Sequence, residues 1–538
     1  MTRSVVVAVG KPTVRDVTRD LMRKWGTTTV FGNPGSTELA FLADWPDDFR
    51  YVLGLQESTV VAMADAYAQF TGNAAVVNLH SSGGVGHALG SVVTAYKNRS
   101  PLVIIAGQQS RSLLVGEPFL GAIEAAEFPK PYVKWSYQPA RAADVPAAFA
   151  RAYHLATQPP YGPTFLSVPA DDWDAEAAPV QARPRVRGHA PDPEALREVA
   201  AALTASSRPA IVVGASVDGD DAVEDVIALA ERTRAAVFAA PMSSRCSFPE
   251  NHPLFAGFLQ PARHRLAEAL AEHDCVVVLG APAFVYHVVT PDGPDLPQLY
   301  LINDDEQALA WAPTGTGLQA TPKLAIQQLT ALLPATDRPA PAPRQTPPPP
   351  APPSPHGQMS GAYVLDAIAK ALPDNAIVVE EAPSHRNDFH EYLPITTRGR
   401  GFLTIASGVL GYGLPGAVGA ALAEPNRPVV AIVGDGSSMY SIQAVWTAVR
   451  EHTPVTFVIL DNAQYGALRS MADSHGAAKV PGMELGGLDF CALASGMGCS
   501  SRHVRTPEEL HEALGAAIAS DQPVLLHVRV DPDYDALY

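Results

Sequence analysis

Short, unbroken runs of Val, Ile, Leu and Ala recur along this chain, and they limit its fold more than any other feature. Ala75–Leu79, Leu102–Ala106, Ile211–Gly214, Cys275–Gly280, Val429–Gly434 and Val455–Leu460 carry no polar alternation. A strand with one face in water would alternate, so these read as strands buried on both faces, which is the situation in a parallel sheet. Between them lie stretches such as Ser58–Phe70 and Ser441–Arg450, with helical spacing and few breakers. Strands alternating with helices predict doubly wound α/β layers.

The chain has 538 residues, well past the roughly 250–300 at which one hydrophobic core stops growing. We therefore expect three domains. The tract Arg338–Pro355, RPAPAPRQTPPPPAPPSP, cannot form a helix or a central strand and reads as an extended spacer. An acidic, Ala- and Pro-rich stretch between Trp173 and Asp192 marks a second break. The expected domains are 1–182, 190–336 and 357–538, with residues 337–356 as the linker, and no internal repeat is visible.

Composition excludes several classes of partner. A formal charge of −17 and a pI near 5.4 repel nucleic-acid phosphates and anionic lipid surfaces. The apolar run Val5–Val9 is too short for a signal peptide, and no run reaches the ~18–20 residues of a membrane span. Four scattered cysteines (246, 275, 491 and 499), none in a C-x-x-C pair, suggest a reducing compartment and small core side chains. The expected location is the cytoplasm.

Polar motifs sit where the strands end. Val429–Val433 runs into Gly434-Asp435-Gly436-Ser437-Ser438, and a later strand ends at Asp461-Asn462, followed by Ala463-Gln464-Tyr465-Gly466. Carboxyl ends of parallel strands form the ligand crevice of an open α/β sheet. Glycines there admit close backbone approach, and a helix start can donate N–H groups to phosphate. One carboxylate and one amide oxygen suit Mg²⁺. Taken alone, G-D-G also fits an ordinary tight turn.

In the first third, Phe31-Gly32-Asn33-Pro34-Gly35-Ser36-Thr37-Glu38, Leu55-Gln56-Glu57-Ser58 and Asn78-Leu79-His80-Ser81 each fall at a strand-to-helix junction. On residue type alone, Glu57 also reads as a carboxylate complementing a helix N-terminus, and a lone histidine is more often structural. A Gly-rich segment, Ala406-Ser407-Gly408-Val409-Leu410-Gly411-Tyr412-Gly413-Leu414-Pro415, also fits a turn entering a core helix.

Together these segments resemble the thiamine-diphosphate-dependent 2-oxo-acid decarboxylases, and among them the benzoylformate decarboxylase type. The resemblance spans all three expected domains. It implies α/β folds with doubly wound parallel sheets: a pyrimidine-binding, a middle and a diphosphate-binding domain. The cofactors implied are thiamine diphosphate and Mg²⁺. Asp435, Asn462 and the carbonyl of Gln464 would hold the metal, with Gly434, Gly436, Ser437 and Tyr465 about the diphosphate. Gly408 would accept from the 4′-amino group, and Leu410 would bend the cofactor. Glu57 would bind N1′ of its aminopyrimidine. Ser36 would take the substrate carboxylate, and His80 and His287 would move protons. Histidine suits that work, titrating near neutrality.

The chain departs from the type in the substrate pocket. Thr404 and Met471 stand where phenylalanines are expected, and His385 and Arg386 replace small hydroxyl residues. An arginine there can pair with a second anionic group, or lie on an exposed loop. The resemblance implies decarboxylation of an aromatic, benzoylformate-like 2-oxo acid to an aldehyde and carbon dioxide. The alternatives are a carboligase that joins two carbonyl compounds and a non-catalytic scaffold. It further implies a homo-oligomer whose chains share active sites, a dimer or tetramer.

Overall fold

The computed structural model describes residues 11–290, 293–353, 357–477 and 479–533. Val5–Val9 and the end of the proline tract lie outside them. The chain forms two compact units, divided after Val186.

The first unit holds one six-stranded sheet: β1 (Thr29–Gly32), β2 (Arg50–Leu53), β3 (Ala75–Leu79), β4 (Leu102–Gln108), β5 (Trp135–Tyr137) and β6 (Thr164–Pro169). Its order is β2-β1-β3-β4-β6-β5, parallel throughout. β3, β4 and β6 are fully buried, as their unbroken apolar runs require. The chain order reverses between β1 and β3, which opens a crevice at their carboxyl ends. Gly32 ends β1 and Asn33 and Ser36 follow it, Glu57 follows β2, and His80 follows β3.

The second unit holds two sheets of the same design. One comprises β7 (Pro209–Val213), β8 (Ala236–Ala239), β9 (Phe255–Phe258), β10 (Cys275–Leu279), β11 (Gln298–Asn303) and β12 (Thr316–Gln319), ordered β12-β11-β10-β7-β8-β9. The other comprises β13 (Ile377–Glu381), β14 (Phe402–Leu403), β15 (Val429–Gly434), β16 (Val455–Asp461), β17 (Ser500–Val504) and β18 (Val524–Arg529), ordered β14-β13-β15-β16-β18-β17. Its switch point lies between β13 and β15, where Glu381 and Gly434 end their strands.

Two details differ from the reading of the sequence. The helix expected from Ser441 begins at Ala444, because three-residue turns closed by Ser441 and Ile442 carbonyls precede it. The proline tract has no helix or strand over 337–353, as expected, but it is tied down. Arg338 donates to the carbonyls of Thr233, Leu203 and Ser206, and Arg344 pairs with Glu391 at 3.0 Å. It is a strap along the second unit as much as a spacer.

Among the described residues, no helix is long and apolar enough to cross a membrane.

Candidate active site

The helix Glu57–Thr71 starts at the carboxyl end of β2 because Gln56 caps it, its side chain accepting from the N–H groups of Ser58 and Thr59. That fixes Glu57 at the first helical position, and the residue is 8% exposed. Its carboxylate accepts from Asn33 Nδ2 at 3.2 Å and pairs with His87 Nδ1 at 3.1 Å. His80 follows β3, and a Cβ on Gly84 would stand 3.4 Å from His80 Cβ and 3.5 Å from Glu57 Cγ. One helix turn thus brings Glu57 and His80 together.

His80 is oriented by buried partners. Its Nδ1 lies 3.0 Å from Glu38 Oε2 and 3.0 Å from Thr37 Oγ1. The Thr37 hydroxyl donates to Glu38 Oε1 at 2.5 Å, so its oxygen is left as an acceptor. Both groups facing Nδ1 are therefore acceptors, which puts the ring proton on Nδ1 and leaves Nε2 to exchange a proton. Glu38 is 1% exposed and also accepts from Gly35 N–H at 2.8 Å. Two glycines make the room: a Cβ on Gly35 would fall 2.3 Å from His80 Nδ1, and one on Gly107 would fall 1.9 Å from Glu38 Oε1. Burial, then the Glu38 charge, raises the Tyr51 phenol well above its usual range. Ser36 opens the short 3₁₀ turn that contains Thr37 and Glu38, and it is exposed.

In the second unit, Asp435 and Asn462 stand just beyond the adjacent strands β15 and β16. Both are buried, at 3% and 4% exposure. Asp435 Oδ1 accepts from Gly436 N–H at 2.7 Å, while Oδ2 is buried without a hydrogen-bond partner, as is Asn462 Nδ2. Unpartnered buried polar atoms at two neighbouring strand ends are costly unless a ligand meets them. Burial, with the Asp461 carboxylate alongside, pushes the Asp435 carboxyl up to about 7. A bound divalent cation would reverse that and favour the carboxylate.

Gln464 is buried, and its amide donates to the Pro532 carbonyl. Tyr465 covers Gly436: a Cβ there would meet the ring at 2.5 Å. Ser437 is buried in the short helix Asp435–Ser438. Gly408 has φ +73°, and nothing stands within 4 Å of where a Cβ would be. Leu410 is half-buried beside it.

The loop that carries Gly408 and Leu410 is anchored by a residue the sequence did not single out. Glu381, at the end of β13, accepts from the N–H groups of Gly411, Tyr412 and Gly413 at 2.6, 2.8 and 2.5 Å. Burial pushes its carboxyl up to about 8 against those three donors. An acidic pair closing an otherwise apolar strand, Ile377–Glu381, was the available signal.

The four expected pocket residues differ in setting. The Thr404 hydroxyl donates to Glu380 Oε2 at 2.6 Å. His385 is 5% exposed and packs against Gly361, where a Cβ would lie 2.2 Å from Nδ1; burial lowers its pKa to about 4. Arg386 Nη1 contacts Met242 Sδ at 3.4 Å. Ser384, two residues before Arg386, accepts from Ala467 N–H at 3.2 Å, so this turn packs on the helix Gly466–Ser474 that carries Met471. His287 lies exposed on a loop after β10, its N–H donating to the Pro261 carbonyl at 2.7 Å.

Sequence comparison matches three family models: the thiamine pyrophosphate enzyme N-terminal TPP binding domain over residues 12–127, the central domain over 196–329 and the C-terminal TPP binding domain over 382–528. Benzoylformate decarboxylase of Pseudomonas aeruginosa is 43% identical, covering 96% of this chain and 98% of that protein. Two solved structures superpose closely. Benzoylformate decarboxylase from Polynucleobacter necessarius has a TM-score of 0.95 at 40% identity, over 97% of this chain and 99% of that one. The 4-hydroxybenzoylformate decarboxylase of Rhodococcus jostii gives 0.94 at 40%, over 98% and 100%. Folds and matches of this kind define a thiamine-pyrophosphate enzyme. The chain belongs to the 2-oxo-acid decarboxylase family of these enzymes, as a carboxy-lyase resembling benzoylformate decarboxylase.

Proposed function

We propose that the protein decarboxylates an aromatic, benzoylformate-like 2-oxo acid non-oxidatively, giving the aldehyde and carbon dioxide. One observation carries the reading: the buried Glu57 and the oriented His80 both border Gly84, at the carboxyl ends of β2 and β3.

The residues fit the cofactor, since Asp435 Oδ2 is a buried, unpartnered acceptor suited to a cation, Asn462 Nδ2 is a buried, unpartnered donor suited to a phosphate oxygen, and Gly408 leaves open space. Thiamine diphosphate, when bound, supplies the electron sink that loss of carbon dioxide from a 2-oxo acid requires. Asp435, the Asn462 amide oxygen and the Gln464 carbonyl would hold Mg²⁺. The backbone about Gly434, Gly436 and Ser437, with Tyr465, would take the diphosphate. Glu57 would bind the aminopyrimidine, the Gly408 carbonyl its amino group, and Leu410 would pack against the rings.

Ser36, exposed at the crevice, would receive the substrate carboxylate. His80 would exchange its proton at Nε2, and His287 would be the second proton carrier. Thr404, Met471, His385 and Arg386 would shape the pocket.

Domains of 1–182, 190–336 and 357–538, cytoplasmic location and a homodimer or tetramer complete the proposal. Assembly is supported by an apolar surface on the first unit, where Val115, Phe119 and Ile123 are 97%, 86% and 75% exposed.

The test is aldehyde release from a panel of benzoylformate, branched aliphatic, pyruvate and dicarboxylic 2-oxo acids. Preference for benzoylformate supports the reading. Preference for the dicarboxylic acid would assign Arg386 to specificity and overturn the aromatic substrate. Consumption of a second aldehyde in place of release would favour carboligation.

A further inference from the structure

A second cluster of metal-type ligands shares no residue with the set assigned to cofactor and substrate, although His527 bonds Asp461, the chain neighbour of Asn462. One ligand atom from each of Asp489, Cys491, His503 and His527 falls within 4.8 Å of the others. The fold builds this group from three elements. β17 and β18 pair with His503 opposite His527, and their rings stand 5.0 Å apart. Asp489 caps the helix Phe490–Gly496, accepting from Ala492 N–H at 3.0 Å, and Cys491 lies in its first turn. The Ser501 hydroxyl donates to the Cys491 carbonyl at 3.3 Å and ties that helix to β17.

His527 is the independent observation. It is 8% exposed, its Nε2 lies 2.8 Å from Asp461 Oδ2, and its Nδ1 is buried without a hydrogen-bond partner. An imidazole anchored through one nitrogen to a carboxylate, with the other left bare, has the arrangement of a metal-bound histidine. Asp461 is itself fixed by Arg529 at 2.8 Å. His503 Nε2 stands 3.5 Å from Asp489 Oδ1, and both side chains are partly exposed, which gives an ion a way in.

We propose that Asp489, Cys491, His503 and His527 form a site for Zn²⁺ or a similar ion, binding through thiolate, carboxylate and two neutral imidazoles. Tetrahedral bonds of about 2.0–2.3 Å place ligand atoms roughly 3.3–3.8 Å apart, so the group has to close by about an ångström. The charges balance: one thiolate and one carboxylate offset the ion's two. Thiolate and imidazole select against Mg²⁺ and Ca²⁺, which distinguishes this site from the hard oxygen ligands proposed for Mg²⁺. Binding displaces the Cys491 thiol proton to solvent, so affinity falls as pH falls. The ion would clamp β17, β18 and the helix Phe490–Gly496 together.

The proposal stands apart from the catalytic reading and is tested without turnover. The full-length protein, loaded with thiamine diphosphate and excess Mg²⁺, is titrated with Co²⁺ and then Zn²⁺. The expected result is a thiolate-to-Co²⁺ charge-transfer band with tetrahedral visible bands at one equivalent per chain, erased by one equivalent of Zn²⁺. Cys491→Ser abolishes the charge-transfer band and His503→Asn weakens binding at least tenfold. Cys246→Ser, which alters another thiol placed near a carboxylate and a histidine, leaves the band intact. No band in the wild-type protein, or one that survives Cys491→Ser, overturns the proposal. The wild-type titration decides alone if a variant fails to fold.

Discussion

Nδ1 of His80 lies 3.0 Å from Oε2 of Glu38, a carboxylate that is 1% exposed. This pair, with Thr37, sets which nitrogen of His80 carries the proton and which is free. Replacing Glu38 with Gln puts an N–H₂ among groups that all donate to it, so the array loses a partner. We expect kcat for decarboxylation to fall about ten- to a hundredfold, with thiamine diphosphate affinity nearly unchanged and the pH profile of kcat displaced. Unaltered kcat and profile would show that Glu38 does not position His80.

Gly107 permits that array. A Cβ there would fall 1.9 Å from Glu38 Oε1 and 2.3 Å from Thr37 Oγ1, and both atoms are held by hydrogen bonds. Gly107→Ala should destabilise the first unit by about 1–3 kcal/mol and lower activity with it. Denaturant unfolding measures the first effect, and an unchanged midpoint refutes it.

Asp218 and Arg245 form an ion pair, side chains 1% and 4% exposed, and Asp218 also accepts from Arg400 N–H at 2.6 Å. It therefore ties the middle sheet's layer to the segment before β14. Removing one partner from a buried pair leaves the other charge stranded, at a cost of about 3–5 kcal/mol. Arg245→Met should lower the melting temperature by several degrees or more, read by calorimetry. A shift within error would mean water reaches the stranded carboxylate.

His385 predicts an acid sensitivity. Burial depresses its folded pKa from 6.5 to about 4. Between those values the unfolded chain binds a proton that the folded chain does not, so stability is full above about pH 6.5 and declines as pH falls toward 4. His385→Gln should flatten the pH dependence of the melting temperature in that window. An identical slope in the variant would assign the sensitivity elsewhere.

Much of this was visible in the sequence. Ala75–Leu79 and Val429–Gly434 are strands over the residues expected, because burial on both faces leaves a continuous apolar run. The placement of Asp435, Asn462, Glu57 and His80 at strand ends followed from the same pattern. What escaped was tertiary. Glu381 and Glu38 are carboxylates whose partners lie about 30 and 42 residues away in sequence, and although the Glu380–Glu381 pair was visible, no local periodicity names such partners. The burial of His385 against Gly361 depends on a glycine 24 residues upstream. Two arginines that bind the proline tract to its neighbours also carried no local signal.

Glu57, held by Asn33 and His87, is the residue proposed to drive a cofactor-dependent decarboxylation. The most direct measurement is aldehyde release from benzoylformate by protein stripped of cofactor and metal, before and after thiamine diphosphate and Mg²⁺ are restored, in wild type and Glu57→Gln. Turnover is expected only on restoration, with a loss of about a hundredfold or more in the variant at an unchanged melting temperature. Turnover without cofactor, or equal rates for the two proteins, would contradict the proposal.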